Sequence, residues 1–160
     1  MITLATLDLS LVVPYDVLAI HTGLPLYQLI YRINGALRCD LSLSKEPLRI
    51  MGKRGTAVYP YYRCNSEQGS RVAVFSNKCR MVVERQEIPG LFSGHAKQEV
   101  VVNKTLISHY SDTDYVIKIE SDYPRISVDE CMYQLRKTPG VQTSFPIELS
   151  TFNNELLIID

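Results

Sequence analysis

Three features of the chain predict an α+β fold. A strand, a capped helix and a second strand are written almost completely by residue type between residues 113 and 148. The same grammar recurs near residues 16–43, and the stretch between the two units is rich in strand signals with few helix signals.

In the later unit, residues 114–120 alternate, with Tyr115, Ile117 and Ile119 on one face and Val116, Lys118 and Glu120 on the other, as in a strand with one buried side. Ser127 then precedes a helix, and Glu130 stands three residues on, the spacing of a capping box. Val128, Cys131, Met132 and Leu135 form a single apolar stripe. Arg136 and Lys137 suit the negative end of the helix dipole, Pro139 stops the helix, and Gly140 supplies a left-handed turn into residues 141–147.

In the earlier unit, residues 16–21 read as an apolar strand, and Pro25 opens a helix striped by Leu26, Leu29, Ile30, Ile33 and Leu37. Asn34 and Gly35 mark its expected end, and residues 39–43 read as the following strand. Between the units, residues 56–64 and 70–77 flank a polar loop and predict a hairpin, with Cys64 opposite Ser70. That pairing puts Val58 and Tyr62 with Val72 and Val74 on the core side, leaving Tyr59, Tyr61, Arg63, Arg71 and Phe75 on the opposite face. A second hairpin is expected from residues 79–86 and 98–104, joined by loop 87–97, and Leu156–Ile159 reads as a closing strand.

These elements assemble into one domain of residues 1–160, a two-layer sandwich with helices 25–36 and 127–138 on one face of a mostly antiparallel, mixed sheet. A ferredoxin-like core with a β-hairpin insertion at residues 79–105 is the nearest simple architecture. The second face of the sheet must then be solvated, covered by that hairpin, or used in an interface such as a homodimer.

At 160 residues the chain is long enough to bury roughly two thirds of its unfolded surface without a metal or disulfide framework. No run approaches the ~20 apolar residues that span a bilayer, and the amino terminus lacks a basic, cleavable leader, so a cytoplasmic protein without membrane attachment is expected. Cys39, Cys64, Cys79 and Cys131 are widely spaced, which predicts buried thiols rather than a zinc or redox pair; no metal or cofactor is expected.

From Ile107, the segment Ile-Ser-His-Tyr-Ser-Asp-Thr-Asp-Tyr resembles the signature of the IPExxxVDY family, small proteins of Bacteroidota. Ile107, Asp114 and Tyr115 fit the motif, whereas Ser108, His109 and Thr113 stand where the family has proline, glutamate and valine. The strand and helix of residues 16–37, the Phe75-Ser76-Asn77-Lys78 segment and the strand after Tyr115 are also similar to family members. The resemblance implies lineage and length and assigns no activity. The residues themselves give the motif a structural role, with the Tyr115 ring buried and its hydroxyl partnered at the sheet margin.

The zero net charge is unevenly spread. Residues 49–85 hold Arg49, Lys53, Arg54, Arg63, Arg71, Lys78, Arg80 and Arg85 against Glu67 and Glu84, while nine carboxylates face four bases from Leu106 onward. Cations beside Tyr59, Tyr61 and Phe75 would hold single-stranded nucleic acid by phosphate pairing and base stacking. The Gly52-Lys53-Arg54-Gly55 fragment has the form of a backbone-clamping loop but precedes a strand instead of joining two helices, and reads as a turn. No hydrolase elbow, zinc-protease helix, Walker loop or dinucleotide fingerprint occurs, and His21, His95 and His109 fall in separate regions. Asp112, Asp114, Glu120 and Asp122 lack the spacing of a calcium loop.

The leading expectation is therefore a non-catalytic binding or adaptor protein that contacts another macromolecule or a second copy of itself. The alternative is an RNA-binding accessory factor using Arg49, Lys53, Arg54, Tyr59, Tyr61, Arg63, Arg71, Phe75 and Lys78. An enzyme or small-molecule sensor, which needs an enclosed pocket with a displaced titratable group, is the third class.

Overall fold

The computed structural model describes residues 15–65, 70–84, 99–121 and 127–148. Loop 87–97 with His95, Arg85, Asp122 and the Leu156–Ile159 run lie outside the described residues. The elements follow in the order β1 (Tyr15–Thr22), α1 (Leu26–Leu37), β2 (Ser42–Leu43), β3 (Leu48–Gly52), β4 (Gly55–Tyr59), β5 (Tyr61–Asn65) and β6 (Ser70–Ser76). Then come β7 (Lys78–Glu84), β8 (Glu99–Thr105), a 3-10 turn at Ser108–Tyr110, β9 (Tyr115–Ser121), α2 (Val128–Lys137) and β10 (Val141–Pro146).

The fold is α+β. Six strands form the main sheet in the order β10-β1-β9-β6-β5-β2, while β3-β4 and β7-β8 are separate hairpins. Helix α2 returns the chain to a strand two places away, whereas α1 leads to the edge strand β2; β1 and β6 flank β9, and β9 and β10 flank β1. That is the ferredoxin-like arrangement, extended at one edge by β5 and β2. Every described strand pair is antiparallel, in keeping with the mostly antiparallel sheet expected and without its mixed component: strands that run parallel to one another are always separated by a third.

Alternation divides the sheet residues between two cores. On the helix side, Leu18 and Ile20 of β1, Val72 and Val74 of β6, and Ile117 and Ile119 of β9 pack with Leu29, Ile30 and Ile33 of α1 and Cys131 and Leu135 of α2. On the other side, Val17, Ala19, Ala73, Phe75 and Val116 are covered by Ala57 and Tyr59 of β4, Cys79, Met81 and Val83 of β7, and Leu106 and Ile107. The hairpins thus cover the second face of the sheet, one of the alternatives that a single helix layer leaves open. Burying both faces of the central strands accounts for the almost unbroken apolar run Val72–Phe75.

Local chemistry sets the boundaries. Ser127 Oγ accepts from the Glu130 amide at 3.1 Å, and the Glu130 carboxylate accepts from Gln134 (2.7 Å), so the cap is one-sided. Helix α1 runs through Asn34 and Gly35, the expected stop, and ends at Arg38 in the left-handed region (φ 50°, ψ 45°). Asn34 instead clamps the backbone of Leu41, accepting from its amide at 2.8 Å and donating to its carbonyl at 3.2 Å. At Gly140 (φ 89°) the left-handed backbone favours glycine, and a Cβ there would press on the Leu24 side chain at 2.7 Å.

The hairpin expected from residues 56–64 and 70–77 is broken at Pro60, because β4 leaves the main sheet there to pair with β3. In the remaining pair Cys64 faces Val72 and Tyr62 faces Val74. This register is shifted by two residues from Cys64–Ser70, a shift that leaves each side chain on its expected face. No described helix is long and apolar enough to cross a membrane.

Candidate functional site

The signature-like residues meet at one end of the main sheet. Asn77, fully buried between β6 and β7, donates its side-chain amide to the carbonyls of Tyr110 and Thr113 (both 2.9 Å). Its side-chain carbonyl accepts from Ile107 N (2.9 Å), while its backbone bonds Asp114 O and Leu106 N. Asp114 accepts from the Thr22 amide at 3.0 Å and pairs with Lys78 at 3.1 Å. The Tyr115 hydroxyl donates to Leu24 O at 2.9 Å; burial, then the Asp114 charge, raises its pKa. Ile107 is fully buried in the hairpin-side core. These contacts fasten β1, β6 and the start of β9 together, as structural anchors do.

An aromatic row lies beside this knot. His21 stacks on Phe145 (5.6 Å between centroids), Phe145 meets Tyr110 (5.9 Å), and His109 meets Tyr110 edge-on (5.5 Å). Two histidines separated in sequence therefore sit along one row, a juxtaposition created by the β1–β10 pairing. Asp112 is exposed, and Asp114 and Glu120 lie at opposite ends of β9. No group of three His, Cys, Asp or Glu side chains able to hold a metal occurs among the described residues.

The nucleic-acid platform is corrected. Tyr59 is 1 %, Tyr61 5 % and Phe75 0 % exposed, and Tyr61 stacks on Phe75 (5.0 Å) inside the hairpin-side core. Tyr61 and Phe75 lie on the sheet face expected to be open, but the β3-β4 hairpin, which carries Tyr59, and the β7-β8 hairpin close over it. No base can stack on rings sealed this way. Of the cations, Arg49, Lys53, Arg54, Arg71 and Lys78 are exposed and Arg63 is half-buried. They are spread over the hairpin tip, the β5–β6 edge and the motif end of the sheet.

The same face buries a cation whose position alone gave no warning. Lys118 is 3 % exposed, ion-paired with Glu120 and lies 4.6 Å from the centre of the Tyr15 ring. Burial, with the Glu120 charge, raises the Tyr15 pKa.

A different surface presents aromatic side chains. Tyr27, Tyr31 and Tyr133 are exposed on the outer side of the helix layer, by 64, 83 and 51 %. Tyr27 and Tyr31 are one turn apart, off the apolar stripe of α1, and line a groove of about 1170 Å³ running between the helices. Arg32, Gln134, Lys137, Thr138 and Pro139 complete its character, and no lining residue is a carboxylate. Arg32 donates to Pro139 O (2.7 Å), holding α1 against the turn after α2, and Lys137 lies over the Tyr133 ring at 4.1 Å. The sequence signal was available: tyrosines at i and i+4 opposite a buried stripe have no core to enter.

Cys79 and Cys131 are buried and Cys39 and Cys64 half-buried, all four as free thiols. Burial, then the neighbouring Cys39, pushes Cys131 up to about 12, and burial and Cys64 push Cys39 up to about 11. Thiols held protonated this way are poor nucleophiles. Comparison of the chain with family models, curated proteins and solved structures finds no match.

Proposed function

We propose that the chain is a binding or adaptor protein whose partner lies across the outer face of the helix layer, and that this partner is a protein segment bearing carboxylates. The observation that carries this reading is the pair Tyr27 and Tyr31 beside the groove. Tyrosine supplies a large contact area at small conformational cost and is enriched where binding energy concentrates. Lys137 and Arg32 give the groove positive polarity with no lining carboxylate to offset it, which favours an acidic occupant.

The test places a photo-crosslinking side chain at position 31, and in parallel at the equally exposed Met51, in the native cell. The expected result is a position-31 crosslink to a discrete acidic segment, lost in Tyr27→Ser and weakened in Lys137→Glu. Crosslinking that is alike at both positions, that joins two copies of this chain, or that is indifferent to both substitutions contradicts the reading.

A further inference from the structure

The tip of the β3-β4 hairpin carries a second, chemically distinct concavity of about 360 Å³. Its lining includes Lys53 and Arg54 at the turn and Lys104 from β8, all exposed, above Met81 and Val83 of β7 and Val102 of β8. Gly52 and Gly55 flank the turn and contribute no side chain. A Cβ on Gly52 would stand 3.6 Å from Lys104 Nζ, so the ammonium lies close against the turn backbone.

Three positive charges surround one small space, none of its lining residues is a carboxylate, and none of the three cations is ion-paired among the described residues. Mutual repulsion raises the energy of the empty arrangement, and an anion relieves it. The arginine fork and two ammonium groups suit a phosphate, while Met81, Val83 and Val102 offer an apolar floor.

We infer that this concavity binds a phosphate head group carried on a short apolar stem. The site goes beyond the helix-layer reading and shares no residue with it. A free alkyl phosphate and a phosphate head group displayed by a lipid present the same chemistry.

The test is calorimetric titration of the full chain with octyl phosphate below its micelle-forming concentration, with inorganic phosphate, and with octanol, alongside sedimentation with vesicles carrying phosphatidic acid. Octyl phosphate, the vesicles, or both should bind, with the two arms identifying the source. Octanol should not bind, and inorganic phosphate should bind more weakly than octyl phosphate. Lys53→Gln and Lys104→Gln should each weaken binding by about tenfold. Both side chains are exposed, so unchanged thermal midpoints verify folding. Binding of octanol equal to octyl phosphate, binding indifferent to both substitutions, or no binding of either phosphate form overturns the proposal.

Discussion

Asn77 and Ile107, thirty residues apart in sequence, are joined by a 2.9 Å hydrogen bond from the Ile107 amide to the Asn77 side-chain carbonyl. The same side chain serves the carbonyls of Tyr110 and Thr113, so one residue satisfies three backbone groups of the segment entering β9. Asn77→Ala leaves those groups short of partners in a buried setting. It should cost about 2–4 kcal/mol in urea unfolding, against under about 1 kcal/mol for Lys78→Ala, whose pair with Asp114 is half in solvent.

The burial of Phe75 makes a prediction opposite to that of a base-stacking surface. Phe75→Ala should lower stability by about 3–5 kcal/mol, the cost of a large cavity in a packed core. A surface ring would lose less than about 1 kcal/mol. Urea midpoints of the wild-type and variant chains decide between them.

Much of this architecture was legible because α2 and β9 obey one simple periodicity each. Val128, Cys131, Met132 and Leu135 could face only one way, and Ile117 and Ile119 opposed them as expected. The hairpin face was misread because Tyr61, Arg63 and Arg71 placed aromatic and charged residues on one side of a strand pair, a pattern shared by a wet surface and a covered one. What distinguishes the two is the neighbouring Val72-Ala73-Val74-Phe75 run, apolar on both sides, together with Pro60, which frees β4 to fold over it. Nothing local identifies Met81, twenty residues from Tyr61, as part of the cover.

Lys118 and Glu120 test whether a buried pair is held by mutual compensation. Lys118→Ala should cost about 3–5 kcal/mol by leaving Glu120, only 14 % exposed in its side chain, without its cation. The double variant Lys118→Met with Glu120→Gln removes both charges and should cost clearly less than the single one. Equal losses in a double-mutant cycle would show that the two side chains are not coupled.

Alkaline pH should destabilise the fold. Cys131 and Cys39 have folded pKa values raised from about 9 to about 12 and about 11, so the unfolded chain releases these protons first. Their stabilising effect is complete below pH about 9 and is lost as pH rises through the folded values. Tyr15, Tyr59 and Tyr115, all raised from about 10 chiefly by burial, act in the same direction. Urea midpoints should fall progressively above pH about 9, and Cys131→Val should flatten that decline.

Hydroxyl-radical footprinting of the aromatic side chains, read by mass spectrometry on the native chain, tests the central assignment most directly: the helix layer, and not the hairpin, presents the rings. Tyr27, Tyr31 and Tyr133 should oxidise readily while Tyr59, Tyr61 and Phe75 stay protected until unfolding. Oxidation of Tyr61 and Phe75 at rates matching Tyr31 would contradict the sealed hairpin layer and return the contact surface to that side of the sheet.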